Sequence, residues 1–417
     1  MRKRVGRENI ILLILAIVLS LIIAETIFRV YYGLTDKVPG ASEEEICTRT
    51  YFREISKNNS LWVSHPGGEE YLEYCNYSGI RPIANLTINK YFNLTLPNGT
   101  QAAGLLYDIN TNSQHMLGLV DYKYEKDPNK LRIAVMGDSF TWGTKMPYMF
   151  TYGALLQEMI PNSEVLNFGI SGIGIDTMYL RWKYEILTYE PDVFIMAIYI
   201  DDIARAVPCI YKPNFVREVD KLKILNLPPP TAGETLESYE EPKLESYFFK
   251  HIIYRIRSLS GIKRGAYQHG LELLDLMLDE VKQTSEKQGT NFLVLIIEAG
   301  NDHQNTETEL WAISELKEML ISKKISFISS NEIFRKENFI ATDYRNRSYF
   351  HFTPEGYGLI AQGIKNQLES EKIIEKQKNY YFQWIVDKHI LALQNKENPK
   401  DLLLIVPYDI LPAEEPS

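Results

Sequence analysis

Cysteine is scarce in this chain, three residues in 417, and no Cys/His cluster has the spacing of a zinc site. An odd number cannot all pair internally; Cys47 and Cys75 flank one segment and either close a loop in an oxidising compartment or stay as thiols, with Cys209 left over. No basic stripe offsets the net charge of −9, which excludes nucleic acid as the expected partner, since phosphate binding needs clustered Lys and Arg. The acidic pair Asp201 and Asp202 lacks a third ligand at useful spacing, so neither a metal nor another cofactor is expected.

What is present is the composition of a folded protein: 45% apolar residues, in a length that suits one large domain with insertions or two domains. Arg2, Lys3, Arg4 and Arg7 precede an apolar run over residues 10–24 that continues as Ile27, Phe28, Val30, Tyr31 and Tyr32. This reads as a transmembrane helix. A cleaved signal peptide is the competing reading, but no small-x-small site followed by polar sequence appears, which favours an uncleaved anchor. Glu25 and Arg29 are spaced as a helical pair near the outer interface. The basic cluster orients residues 1–32 with the N-terminus cytoplasmic and the remainder extracytoplasmic. Sequons beginning at Asn58, Asn76, Asn85, Asn93, Asn98 and Asn346 lean the same way, toward an exported and glycosylated surface.

Residues 33–128 lack sustained helical periodicity and read as a membrane-proximal extension of irregular and β structure, with strand-like pieces such as 86–96. From residue 129 to 370 the texture alternates. Strands are expected at 131–136, 164–168, 193–200, 292–297 and near Phe327, and helices at 152–160, 176–187, 271–288 and 307–321. The fully apolar strands are those of a parallel sheet covered on both faces, a flavodoxin-like three-layer α/β sandwich. An insert over about 204–262 leaves from the end of the third strand and carries Pro208, Pro213, the Pro228-Pro229-Pro230 run and a hairpin around 219–221. It is placed either to overhang the site or to decorate the surface. A last helix starts after His351, with Thr353 as its cap and Pro354 at its first position. The tail, 371–417, has apolar patches but no assignable role.

Four blocks carry chemistry, all at the same edge of the expected sheet. Gly137-Asp138-Ser139 follows the first strand, Asn167-Phe168-Gly169-Ile170-Ser171-Gly172 the second, Tyr199-Ile200-Asp201-Asp202 the third, and His351 precedes the last helix. A serine hydroxyl needs a base to take its proton, which a histidine on a strand-to-helix loop can be, and backbone N–H groups at glycine turns can bind an oxyanion. Taken singly, each is an ordinary turn, helix-start or loop residue.

In this order the blocks resemble the SGNH, or GDSL-type, hydrolase superfamily, over roughly residues 131–368 with the insert excepted, including Pro191-Asp192 and Gly356 as framing residues. The anchor and the insert segments 212–215 and 225–228 resemble membrane-anchored members. The resemblance implies Ser139 as nucleophile, His351 as general base, and an oxyanion hole built from the N–H groups of Ser139 and Gly172 with the side chain at position 201. Two positions depart from the pattern. Asp201 stands where an asparagine normally donates an amide hydrogen to the oxyanion; an ionised carboxylate cannot donate, and a protonated one can only if burial or Asp202 raises its pKa. Ser348 stands where an aspartate normally precedes the histidine by three residues, and Asp343 lies further upstream without supporting spacing; a Ser139–His351 dyad would work without it. The implied activity is a membrane-anchored serine esterase cleaving O-acyl groups from an envelope carbohydrate or lipid. An O-acyltransferase modifying envelope glycans, and an impaired member that only binds glycan, are the alternatives.

Overall fold

The computed structural model describes residues 7–35, 62–64, 70–95, 101–144, 146–209, 212–231, 234, 246, 248–249, 251–252, 262–298, 306–337 and 351–376. Helix α1 (Arg7–Thr35) is long and apolar enough to cross a membrane, with mean hydropathy 2.1 over Ile14–Tyr31. Arg29 and Glu25 pair on it at 2.7 Å. Strands β1 (Trp62–Ser64), β2 (Glu70–Cys75) and β3 (Gly79–Pro82) form an antiparallel sheet, and β4 (Thr87–Thr95) pairs with β5 (Gln101–Asn110).

The central sheet is built from β6 (Leu131–Met136), β7 (Ser163–Asn167), β8 (Val193–Tyr199), β11 (Asn291–Ile297) and β12 (Ser326–Ser329), all parallel, in the order β12-β11-β8-β6-β7. Read from its other edge, the second strand of the sheet comes first, then the first, third, fourth and fifth. That is the doubly wound, flavodoxin-like order. The sequence is apolar without alternation because both faces are covered. Ile133, Val135, Val193, Ile195, Ala197, Leu293, Leu295 and Ile297 pack on one side with α3 (Tyr152–Met159), α8 (Ser330–Lys336) and α9 (Pro354–Ser370). Their neighbours Ala134, Met136, Phe194, Met196, Ile198, Val294 and Ile296 face the other way, toward α4 (Ile175–Tyr184), α6 (Ile262–Gln288) and α7 (Glu307–Ser322). This second face also takes in Tyr71, Leu72, Ile80, Tyr107 and Ile109, so strands β2 to β5 share a core with the sheet.

Two one-turn helices, α2 (Ser139–Trp142) and α5 (Ile200–Ala204), begin directly after β6 and β8. Neither was expected, because a single turn leaves no periodicity to read. Helix α6 starts at Ile262, over two turns before the expected 271, and α8 after β12 was also missed. The early turns of α6 lie against α5: a methyl on Gly270 would come within 1.9 Å of the Ile203 carbonyl oxygen, so only glycine permits the approach.

The hairpin in the insert is present as β9 (Asn214–Glu218) and β10 (Lys221–Leu225). Phe215 is buried edge-on against Tyr179, and the Tyr74 hydroxyl donates to the Pro229 carbonyl at 2.7 Å. Of the two alternatives for Cys75 the structure shows the thiol, free and buried, and Cys209, expected to be left over, is the disulfide-bonded cysteine. Cys75 lies within β2, under the β3 pairing, where packing encloses the thiol. Asn76 and Asn85 are exposed; Asn58, Asn98, Asn346, Asp343, Ser348 and the tail beyond 376 lie outside the described residues.

Candidate active site

Reversal of strand order between β6 and β8 leaves a crevice beyond their carboxyl ends, where ligands bind in open α/β sheets. Ser139 leaves one of these strands and Asp201 the other. Gly137 must be glycine, since a Cβ would lie 2.1 Å from the Thr141 hydroxyl and 2.8 Å from the Ala197 carbonyl oxygen. Asp138, fully buried, caps α2 by accepting from the Phe140 amide at 3.0 Å. Its second oxygen accepts from the Ser139 hydroxyl at 3.2 Å.

His351 reaches the same serine from the far end of the sequence. Its Nε2 lies 2.8 Å from Ser139 Oγ. The ring packs against Phe140 with centroids 4.8 Å apart, and the next residue, Phe352, is fully buried between Phe140, Phe334 and Tyr357. Phe352 therefore anchors the loop that holds the imidazole. Thr353 caps α9 through the Gly356 amide at 3.3 Å with Pro354 in its first turn, as its sequence signals.

The second block is stitched to the first. Ile170 donates to the Gly137 carbonyl at 3.0 Å, and Asn167 binds the Thr141 carbonyl and the Gly169 amide, each at 2.9 Å. Buried Arg181 donates to the Phe168 carbonyl at 2.7 Å. Gly172, exposed and in the left-handed region at φ 80°, has nothing within 4 Å of where its Cβ would stand. Among the described residues neither the Ser139 nor the Gly172 N–H has a hydrogen-bond acceptor. Donors left unpaired at the mouth of a crevice are available to an oxyanion.

Strand order and block order now agree. The fold is a doubly wound, flavodoxin-like α/β sandwich with Ser139 and His351 in contact. No protein-family model and no curated protein sequence matches the chain. Solved structures with similarity to it include one described as a lipolytic protein of G-D-S-L family from Desulfitobacterium hafniense DCB-2, at 14% identity and TM-score 0.36, covering 57% of this chain and 100% of that one. An acetylxylan esterase from Geobacillus stearothermophilus, solved as a catalytic mutant, is similar at 15% identity and TM-score 0.36, over 58% of this chain and 96% of that one. An alpha/beta hydrolase enzyme from the metagenome of Lake Arreo, Spain, stands at 13%, TM-score 0.36 and the same coverages.

The third block differs from the sequence expectation. Asp201 Oδ1 accepts a short hydrogen bond from the Tyr267 hydroxyl, from the early part of α6 that the sequence reading left out of the helix. Burial first, then this bond, pushes the Tyr267 phenol far up and keeps it a donor. Asp202 is fully buried, its pKa raised by burial and then by Asp138, against the opposing pull of Arg205 and the Tyr199 amide. Arg205 and Tyr267 are not legible as site residues in the sequence, and Asp202 only as the neighbour of Asp201, because α5 is one turn long and the partners come from distant elements.

The raised pKa of Asp202 makes a stability prediction. A carboxyl whose folded pKa lies above its unfolded one stabilises the fold at low pH, and this contribution is lost as pH rises through the folded value. Asp202→Asn keeps the neutral form at every pH. Its urea midpoint, relative to the natural protein, is expected to move in the variant's favour as pH rises above the ordinary carboxylate range; a constant difference would show that Asp202 does not titrate differently in the folded state.

The insert is fastened behind this cluster. Buried Lys212 pairs with Asp176 at 2.6 Å and donates to the Arg205 carbonyl at 2.7 Å, joining the insert to the start of α4 and the end of α5. Among the described residues no group of His, Cys, Asp and Glu could hold a metal ion.

Proposed function

We propose that the protein is a membrane-anchored extracytoplasmic serine esterase that removes O-acyl groups from an envelope carbohydrate or lipid through an acyl-serine intermediate. The observation that carries this is the 2.8 Å contact of Ser139 Oγ with His351 Nε2, with the Ser139 and Gly172 N–H groups lacking acceptors among the described residues. Ser139 Oγ bonds to the ester carbonyl carbon while its proton passes to His351 Nε2, and the carbonyl electrons collect on oxygen against the N–H groups of Ser139 and Gly172. Collapse expels the alcohol, protonated by His351. Water, activated by the same imidazole, then releases the carboxylic acid and restores Ser139.

Helix α1, with the basic residues before it, supports the anchor and its orientation. Exposed Asn76 and Asn85 in sequons support exposure to a glycosylating compartment. A family member that only binds glycan has less support, since it has no need of a hydroxyl and an imidazole in contact.

A fluorophosphonate probe tests the nucleophile, and acylated envelope glycan tests the substrate. Labelling at Ser139 with release of free carboxylic acid is expected. Transfer of the acyl group to a glycan hydroxyl in place of release would replace hydrolysis by acyl transfer, and absence of labelling across a pH series would overturn the acyl-serine reading.

A further inference from the structure

Arg205 sits between the two loops that carry the oxyanion donors. Its Nη1 lies 3.4 Å from Asp138 Oδ2, the same oxygen that accepts from the Ser139 hydroxyl at 3.2 Å, so one carboxylate oxygen separates the guanidinium from the nucleophile. On the other side Nη1 lies 3.5 Å from the carbonyl oxygen of Ile173, the residue after Gly172. Gly174 permits this closeness, because a Cβ there would stand 3.0 Å from the Arg205 backbone carbonyl carbon and Cβ.

Every hydrogen bond from the guanidinium among the described residues runs through Nη1: the two above and one to Asp202 Oδ1. Among the described residues Nε and Nη2 have no acceptor, on a side chain that is 37% exposed. Arg205 thus has one edge clamped on buried carboxylates and the rest turned out of them. The Tyr199 ring, 5.7 Å from its guanidinium carbon, fixes the stem from a further side. Asp201, one turn earlier on α5, is occupied by Tyr267 and has only acceptor oxygens in its ionised form.

We infer that Arg205 is a catalytic residue of this site, supplying through its free guanidinium N–H groups the side-chain stabilisation of the tetrahedral oxyanion that Asp201 does not give. The inference rests on the acyl-serine reading above. The balance is that of the addition step: the Ser139 Oγ–carbon bond forms, the carbonyl π pair moves to oxygen, and the positive guanidinium faces that developing charge; no proton leaves Arg205. A planar cation that never deprotonates suits this role, since its charge is the same before and after the step.

The test uses the full chain in detergent, with p-nitrophenyl acetate as the probe ester. Removing Arg205 strands two buried carboxyls, so Arg205→Ala is made in an Asp202→Asn background, and Asp202→Asn alone is the reference. The double variant is expected to lose about 10²-fold in kcat with KM within about threefold, and added guanidinium ion should restore kcat saturably. Arg205→Lys should fall between the two, keeping the charge without the planar fork. Retention of kcat within about threefold of the reference, with Ser139 still labelled by the fluorophosphonate, would overturn the inference. So would a fall in kcat that follows loss of folded protein and is not reversed by guanidinium. Failure of the natural chain to label at Ser139 would instead remove the acyl-serine reading, and this inference with it.

Discussion

Ser139→Ala is expected to abolish fluorophosphonate labelling and to lower turnover of p-nitrophenyl acetate by about 10⁴-fold or more, leaving the fold intact. The magnitude follows from the hydroxyl's place in the mechanism: without Oγ there is no acyl-serine, and what remains is water attack assisted by the N–H groups of Ser139 and Gly172. Stability should change little. Asp138 caps α2 through the Phe140 amide, which the substitution leaves in place, and the side chain lost is half-buried with one hydroxyl hydrogen shared between His351 and Asp138. The net loss is of the order of 1 kcal/mol, below the scale that would unfold a domain. Turnover surviving in the variant would move the nucleophile elsewhere, and the neighbouring hydroxyls offer no ready substitute. Thr141 is buried against Tyr152 at 2.8 Å, and Thr144 is bound to Ser171 at 3.3 Å.

The parts of this site legible in the sequence are those whose signals are local. Strands β6, β8 and β11 announce themselves as unbroken apolar runs because each is buried on both faces, and the start of α9 is written in Thr353 and Pro354. Ser139 and Gly172 follow strand ends, so placing the strands places them at one edge, and His351 is placed by the start of α9. What pairs across long distances leaves no such trace. Tyr267 reaches Asp201 because α6 begins well before the periodic stretch that reveals it, and its approach to α5 depends on Gly270, which in a sequence reads as a weak helix position. Asp202 reads as a solvated acid and is as fully enclosed as Asp138, since α5 turns it back under Tyr199 to accept that residue's amide at 2.9 Å. Arg205 lies outside every block, and its importance comes from contacts to residues 138 and 173 that only the closed sheet creates.

The second large effect is expected at His351. His351→Ala should cut ester turnover by about 10⁴-fold, and the Ser139→Ala/His351→Ala double variant should be no slower than Ser139→Ala alone, because the two side chains act on one proton. The loop should hold without the imidazole. Phe352 keeps its burial against Phe334 and Tyr357, and Thr353 still caps α9, so the change is confined to the ring that packs on Phe140. Added imidazole should recover part of the activity of His351→Ala by entering the space left beside Ser139. The pH profile separates a base from a merely structural histidine. A general base must be unprotonated to take the Ser139 proton, so turnover of the natural protein falls on acidification through the imidazole's titration, while the residual turnover of His351→Ala lacks that limb. Additive losses in the double variant, or an unchanged acid limb in His351→Ala, would show that the 2.8 Å contact does not carry the proton.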